Sequence, residues 1–375
     1  MASLFWLAFL TLVYIYIGYP LLVAGLASAF GREPARQPIA PVVSLYIPAY
    51  NEEAHIEAKL ANSLALDYPA GRLEIIVASD GSTDRTNALV RRYDSRGVKL
   101  VAMRDNLGKA AMLGRTVPLL SGELIVFSDA SSELEPDALR RLVANFADPR
   151  VGCVSGLYRL KGDGADLRAQ GEGLYWRYET FLKRQESRLH SILGAHGAFY
   201  AIRKSLFATV GAQAINDDYL IPMRIVAQGY RAVYEPSAVA WEREVASVDG
   251  EFARRRRIAV GNCQQIVELR GMLNPLTHGW VACCFFSHKV LRTLAPVFLG
   301  LLAVASGWLP APWAGVWVGL QVAFYASAWC GYALQRRGLR VAWLSAPLYF
   351  CLGNLAMLAG LWQFLVRRKP VAWGR

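Results

Sequence analysis

The order of apolar and polar positions divides the chain into two apolar ends and a central segment of alternating strands and helices. Residues 4–30 form a nearly continuous apolar run without a charge, which at about 1.5 Å per residue can cross a hydrocarbon layer of ~30 Å. Nothing basic precedes this run, whereas Arg32 and Arg36 follow it. We therefore predict an uncleaved membrane anchor that leaves the next domain in the cytoplasm.

Short β-branched runs separated by helical patterns begin at residue 42. Strands are predicted at 42–48, 73–79, 98–102, 123–127, 151–158, 231–234 and 239–243, and a glycine-rich bend at 194–203 leads into another. Helices are predicted at 51–64, 83–92, 109–120, 136–146, 171–190, 217–228 and 251–269. This alternation favours an α/β fold with a mostly parallel sheet flanked by helices.

The C-terminal part is apolar again. The run 281–309 contains His288, Lys289 and Arg292, so its first half is predicted to be interfacial and 294–308 to be membrane-buried. Two more spans are predicted at 313–334 and 341–366. The basic stretches 335–340 and 367–369 should both be cytoplasmic, but four full spans would place them on opposite faces. The sequence leaves this conflict open.

These patterns predict the domain organisation of the chain. Its segments are the membrane anchor 1–30, a proline-containing linker 31–41, a cytoplasmic domain 42–250, amphipathic or interfacial helices 251–292, membrane helices 293–366 and a basic tail 367–375. The helix at 251–269 is basic and amphipathic, as expected for a helix on a membrane surface.

The composition favours a membrane protein with anionic partners. Of the 375 residues, 54% are hydrophobic and only 19% are charged, while the net charge is +12. Because the arginines cluster near apolar segments, lipid or diphosphate is favoured over nucleic acid, for which the sequence has no recognised motif. The six cysteines include no CxxC pair, so they are predicted to be small buried groups.

Acidic residues follow predicted strands where an open α/β sheet binds its ligands. Asp129 follows the strand at 123–127, Asp80 ends the strand at 73–79, and Asp217 and Asp218 begin a predicted helix. A carboxylate in such a crevice can hold a ribose hydroxyl, bind a divalent cation or accept a proton. The alternative for each, taken singly, is a turn or a helix cap.

Several motifs occur together in the order typical of one enzyme family. These are residues 48–53 (PAYNEE), 79–84 (SDGSTD), 104–109 (RDNLGK), 128–130 (SDA), 197–203 (GAFYAIR) and the pair 217–218. Over about residues 40–270 the chain resembles glycosyltransferase family 2. It is similar to membrane-bound members with a GT-A catalytic domain, such as bacterial exopolysaccharide and poly-N-acetylglucosamine-type transferases.

The resemblance implies roles for individual residues. Those expected to bind the nucleotide are Pro48, Tyr50, Glu52, Asp80, Lys109 and Asp129. Those expected on the acceptor side are Gly197, Phe199, Arg203 and Asp217. Asp218 is expected to be the catalytic base. For Phe199, packing within a strand is an equally good explanation.

The metal motif of the family is altered in this chain. Asp129 matches its first aspartate, but Ser131 stands where a second aspartate is expected, and serine is a poorer ligand because it lacks charge. The resemblance implies Mg²⁺ or Mn²⁺ at Asp129 and Ser131. Arg254 and Arg257, in the arginine run 254–257, are expected to contact a diphosphate, and contact with anionic lipid is the alternative.

The resemblance implies an inverting transferase in the bacterial inner membrane. Its donor would be a nucleotide sugar, most simply a UDP-sugar, its acceptor a lipid-linked or growing polysaccharide, and membrane lipids would surround it. One alternative is a processive synthase that also secretes its polymer; the run 254–258 lacks the Gln and Trp of the processive motif. Another is a non-catalytic nucleotide-binding scaffold. A dinucleotide oxidoreductase is disfavoured because no GxGxxG follows the first strand.

Overall fold

The computed structural model describes residues 1–161, 167–243, 248–339 and 341–366, and within this part the chain forms two compact units. One, here called the helical unit, comprises the described residues within Met1–Ala29, Gly162–Leu182 and Val245–Lys369. The other, here called the sheet unit, comprises the described residues within Phe30–Lys161 and Lys183–Glu244. The predicted basic tail lies outside the described residues.

The strands of the sheet unit form one mixed sheet. They are β1 Val43–Ala49, β2 Leu73–Asp80, β3 Val98–Met103, β4 Leu124–Phe127, β5 Ser132–Leu134, β6 Val151–Lys161, β7 Tyr200–Arg203 and β8 Arg231–Arg243. Their order in the sheet is β3-β2-β1-β4-β7-β6-β8-β5. Strands β1 to β4 are mutually parallel, whereas β7 runs antiparallel to both β4 and β6.

The α-helices complete the two units. They are α1 Ala2–Val13, α2 Tyr19–Phe30, α3 Ile56–Leu64, α4 Thr86–Arg91, α5 Lys109–Thr116, α6 Ala138–Val143, α7 Leu167–Leu189, α8 Asp217–Ala227, α9 Val248–Glu268, α10 Pro275–His278, α11 Trp280–Cys284, α12 Arg292–Ser306, α13 Trp313–Arg336 and α14 Ala342–Val366. Wider π-helical turns at Tyr14–Gly18 and Phe285–Leu291 join α1 to α2 and α11 to α12.

Burial of the central strands fixes where ligands can approach the sheet. All seven residues of β1 and all four of β4 are buried, as expected for parallel strands covered on both faces. The carboxyl ends of β1, β2 and β4 therefore form the accessible crevice of this half of the sheet. The predicted α/β architecture is confirmed, with an antiparallel part that the strand pattern alone does not reveal.

The second half of the sheet differs from the predicted strands. The runs predicted at 231–234 and 239–243 form one strand, β8, which pairs with β6 in a register that shifts at Gly156 and Leu157. The short strand β5 pairs antiparallel with β8 and has no counterpart among the predicted elements. Its three residues are too few to show an alternating pattern in the sequence.

The helical unit contains long apolar helices. By length and composition, three helices among the described residues could cross a membrane: Ala2–Phe30, Trp280–Ser306 and Ala342–Val366. The sequence predicts an interfacial first half and a membrane-buried second half for the run 281–309. In the structure, Trp280–Ser306 forms one continuous helix across the boundary between these halves. The predicted span at 313–334 forms α13, which is not one of these three helices.

Candidate active site

Asp129 lies beyond the carboxyl end of β4, and its carboxylate contacts the same lysine ammonium group as the carboxylate of Asp217 on α8. The Nζ of Lys109, the first residue of α5, is 3.4 Å from Asp129 Oδ1 and 3.5 Å from Asp217 Oδ2. Burial alone would lower the pKa of Lys109, but Asp129, Asp217 and Asp218 raise it above its ordinary value. The ammonium therefore stays charged and joins the two acidic segments that lie about ninety residues apart in the sequence.

Asp218 is the second residue of α8 and lies against the glycine-rich segment 194–198. Its carbonyl oxygen accepts a 2.8 Å hydrogen bond from the backbone N–H of Ala195. A Cβ on Gly197 would lie 2.9 Å from Asp218 Oδ2, so a residue without a side chain is needed there. Burial first, and then the charge of Asp217, raise the pKa of Asp218 to about 6, while Lys109 opposes the rise. Such a carboxylate is ionised at neutral pH and is a stronger base than an exposed aspartate.

Asp80 is fully buried at the end of β2 and organises the loop that leads to Lys109. Its two carboxylate oxygens accept hydrogen bonds from the N–H groups of Leu107 and Gly108, each at 2.8 Å. Gly81 has φ +69°, and a Cβ there would lie 2.5 Å from the backbone nitrogen of Asn106. The observed contacts of Asp80 are with the backbone of this loop, and direct contact of Asp80 with a nucleotide stays a prediction.

The segments after β1 and β2 are tied together by hydrogen bonds. The N–H of Asn51 donates to Ser82 Oγ at 3.1 Å, and the N–H of Glu52 donates to Thr86 Oγ1 at 2.8 Å. Asn51 Oδ1 in turn accepts the N–H of Thr83 at 2.9 Å. These bonds bring the predicted base-binding segments 48–53 and 79–84 side by side. Pro48 is buried within β1, whereas Tyr50 and Glu52 are partly exposed.

The predicted acceptor-side residues do not all lie at this crevice. Gly197 and Asp217 are part of it, but Phe199 is only 1% exposed and belongs to the hydrophobic core. Arg203 pairs with Leu124, the first residue of β4, and donates to the carbonyls of Val151, Phe146 and Asp148. At about 3.3 Å per residue, that end of the sheet is separated from Asp129 by the whole length of β4. Arg203 therefore holds the amino end of β4 in this structure.

The residues around Asp129 offer oxygen ligands that fit a hard cation. Ser131 Oγ donates to Glu242 Oε1 at 2.7 Å, so a carboxylate from β8 lies beside the serine that replaces the second aspartate. No group of three His, Cys, Asp or Glu side chains in the described part of the chain could hold a metal ion by itself. Asp129, Ser131 and Glu242 would bind Mg²⁺ or Mn²⁺ together with phosphate and water oxygens, as such ions commonly do.

The arginine run 254–257 lies on α9 in the helical unit. Arg254 and Arg255 both pair with the carboxylate of Glu251, at 3.0 and 2.5 Å. Their contact with a diphosphate or with lipid stays a prediction, as it does for Arg257.

The sequence patterns do not single out two polar residues near the crevice, the buried Lys59 and the half-buried Glu242. Lys59 on α3 is 2% exposed, and Glu242 contacts Ser131. A signal for Lys59 exists, since it falls on the same helical face as Ile56 and Ser63, both of which are buried. Glu242 has no comparable signal, because only the β5–β8 pairing brings it to Ser131.

The mixed sheet, with an acidic cluster beyond the carboxyl end of β4, defines a GT-A glycosyltransferase fold. Residues 44–211 match the family model described as glycosyl transferase family 2, so the chain carries a domain of that family.

Similar proteins agree with this classification. The chain is 29% identical over 224 residues to a poly-beta-1,6-N-acetyl-D-glucosamine synthase of Staphylococcus aureus, and 27% identical over 224 residues to that of Staphylococcus epidermidis. The matches cover 58% of this chain and 54% of each relative, so the chain spans about half the length of these curated relatives. Its fold is similar to that of the mannosyltransferase PcManGT from Pyrobaculum calidifontis in complex with GDP-Man and Mn²⁺. That likeness has a TM-score of 0.75 at 24% identity and covers 98% of this chain and 100% of the other.

Proposed function

We propose that the chain is an inverting membrane glycosyltransferase. It transfers a sugar from a nucleotide sugar, most simply a UDP-sugar, to a lipid-linked or growing polysaccharide acceptor in the synthesis of an envelope glycan. The sheet unit lies on the cytoplasmic side of the bacterial inner membrane, where nucleotide sugars are made. The family match and the poly-N-acetylglucosamine synthase relatives support this proposal.

One observation carries the proposal. Lys109 holds Asp129 and Asp217 within salt-bridge distance of one ammonium group, and Asp218 follows directly in α8. A donor-binding carboxylate, a cation and a carboxylate with a raised pKa thus share one crevice. This is the set of groups that transfer from a nucleoside diphosphate requires.

Asp218 is assigned the role of general base. The acceptor hydroxyl gives its proton to a carboxylate oxygen of Asp218 while its oxygen forms a bond to the anomeric carbon. The bond from that carbon to the diphosphate oxygen breaks, and the nucleoside diphosphate leaves with the electron pair. Attack from the opposite face inverts the anomeric configuration, and the ammonium of Lys109 balances negative charge that grows on the diphosphate.

Asp129, Ser131 and Glu242 are the residues proposed to hold a divalent cation. When bound, Mg²⁺ or Mn²⁺ would neutralise charge on the leaving diphosphate. Glu242 supplies the second negative charge that Ser131 lacks, so the altered motif retains two carboxylates.

The test uses the purified full chain with UDP-N-acetylglucosamine and GDP-mannose as separate donors, with and without EDTA. We expect nucleotide release with at least one donor and a loss of about 10³-fold or more in the Asp218→Asn variant, as is typical when a general base is removed. Asp94→Asn, which changes an exposed aspartate outside the crevice, is the matched control. Equal release by the wild type and Asp218→Asn would overturn the assignment, and no release with an intact fold would favour the scaffold alternative.

The length of the product decides between single addition and processive synthesis. Gel separation of radiolabelled product from the same reaction shows one added sugar in the first case. A ladder that persists under a large excess of acceptor would instead indicate a processive synthase.

A further inference from the structure

Lys59 is a charged residue in the interior of the sheet unit. Its side chain rises from α3 and is 2% exposed, and a buried ammonium group is costly unless its donors are satisfied. It donates to Ser128 Oγ at 2.6 Å, to the Ser132 carbonyl at 2.8 Å and to Ser132 Oγ at 3.3 Å. The three hydrogens of the ammonium group therefore each have an acceptor. Burial lowers the pKa of Lys59 to about 7, while Asp129 and Glu133 favour the charged form, so the ammonium form predominates below about pH 7.

The lysine fixes the direction of the hydrogen bonds around it. An ammonium group only donates, so both serine oxygens must accept from it and turn their own hydrogens elsewhere. The carbonyl of Ala198 is then the acceptor for Ser128 Oγ at 3.0 Å and for Ser132 Oγ at 3.3 Å, and the two hydroxyl oxygens lie 3.0 Å from each other. Ser132 Oγ donates to the carbonyl of Asp129 at 2.8 Å. A neutral apolar side chain at position 59 would leave these hydroxyl groups free to reorient.

These bonds connect the two sides of the proposed active site. Residues 128–132, here called the donor loop, carry Asp129. Residues 195–198, here called the base-side segment, contact Asp218 through the Ala195 N–H and through the close approach of Gly197. The Ser128–Ala198 bond joins the donor loop to the base-side segment, and Lys59 is the group that orients it.

We propose that Lys59 is a positioning residue whose ammonium group locks the donor loop to the base-side segment and so aligns Asp129 with Asp218. The expected loss of kcat when the ammonium group is removed rests on the proposed transferase function. The structural consequence, a joint loosening of the two segments when the ammonium group is lost, does not depend on which donor the protein uses.

The kinetic test compares Lys59→Met with the wild type in the purified full chain. Methionine keeps most of the volume and removes the charge, and Lys99→Met removes the same group from an exposed position on β3 as a control. The assay uses whichever of UDP-N-acetylglucosamine and GDP-mannose the wild type turns over. In Lys59→Met, kcat should fall about tenfold or more while KM changes less than about threefold. The reason is that the variant loses the alignment of Asp129 with Asp218 but keeps the groups that bind the donor. A purely structural role would lower the unfolding midpoint and leave the kcat of the folded fraction unchanged.

The second readout is hydrogen exchange, which does not require activity. In Lys59→Met, amides of the donor loop and of the base-side segment should exchange about tenfold faster, whereas Lys99→Met should match the wild type. Ser128→Ala keeps the lysine and removes the shorter of the two serine hydrogen bonds to the Ala198 carbonyl, and the double variant Ser128→Ala/Ser132→Ala removes both, so these variants decide the question if Lys59→Met does not fold. Wild-type kcat and wild-type exchange in both segments would overturn the inference. If the wild type is inactive but the two segments still loosen together in Lys59→Met, only the transferase function is contradicted.

Discussion

At the scale of single residues, the proposed role of Asp218 as general base predicts how transfer varies with pH. Because burial and the charge of Asp217 raise the pKa of this carboxyl group to about 6, the ionised base is lost as pH falls through that value. We expect the acidic limb of the kcat/KM profile near pH 6, well above the limb that an ordinary aspartate near 3.9 would give. Asp217→Asn removes a negative charge beside the base, so the limb should move to lower pH, whereas Asp94→Asn should leave it in place. An acidic limb that Asp217→Asn does not move would contradict this account.

Gly197 offers a steric test of the same base. A methyl group at this position would lie 2.9 Å from Asp218 Oδ2 and would push the carboxylate out of place. We expect Gly197→Ala to lower kcat by about 10²-fold, the size of effect that follows a misplacement of about 1 Å. Gly211→Ala is the matched control, because a Cβ there meets nothing within 4 Å. Similar rates for the two variants would show that the segment yields without disturbing the base.

The sequence predicts the positions of some residues at the site but not of others. The hydrophobic pattern correctly predicts that Asp129 follows a strand and that helices begin at Lys109 and at Asp217. The functional roles of these residues stay predictions. Arg203 and Phe199 belong to a matching motif, yet one holds the far end of β4 and the other is core. A sequence motif predicts the strand, but it does not show which side chains of that strand reach the crevice.

At the scale of elements, each strand from β1 to β4 begins and ends within one residue of its predicted bounds. Their β-branched runs are bounded by clear turn residues, which is why the pattern suffices. The element order in the second half, β7-β6-β8-β5, follows from long-range pairing that no local pattern specifies.

A buried ion pair in the helical unit gives a prediction at this scale. Glu179 on α7 pairs with Arg292 at the start of α12, and His288 Nε2 is 3.7 Å from the same carboxylate. Removing one partner of a buried pair leaves an uncompensated charge, so Glu179→Gln should lower the free energy of unfolding by about 3 kcal/mol. Glu57→Gln, which breaks an exposed pair with Arg92, should cost less than about 1 kcal/mol. Thermal unfolding in detergent micelles compares the two, and equal midpoints would refute the prediction.

At the scale of the whole molecule, the number of crossing helices determines the side on which the chain continues after residue 366. If the three candidate helices all cross a membrane, Phe30 and Val366 lie on the same side of it. Reporter fusions read on either side of the membrane, placed after Phe30 and after Val366, should therefore give the same side. Opposite sides would mean that α13 also crosses.

The ammonium group shared by Asp129 and Asp217 makes the strength of the base depend on whether the donor is present. If the proposed donor binds at this crevice, we expect its diphosphate to draw Lys109 away from Asp217, so that the negative charge of Asp217 beside Asp218 is less compensated. The pKa of Asp218 should therefore be higher in the donor complex than in the free protein, which would place the acidic limb of kcat above that of kcat/KM. An empty crevice would hold a weaker base and a loaded one a stronger base, so that donor binding itself would prepare Asp218 to take the proton of the acceptor hydroxyl.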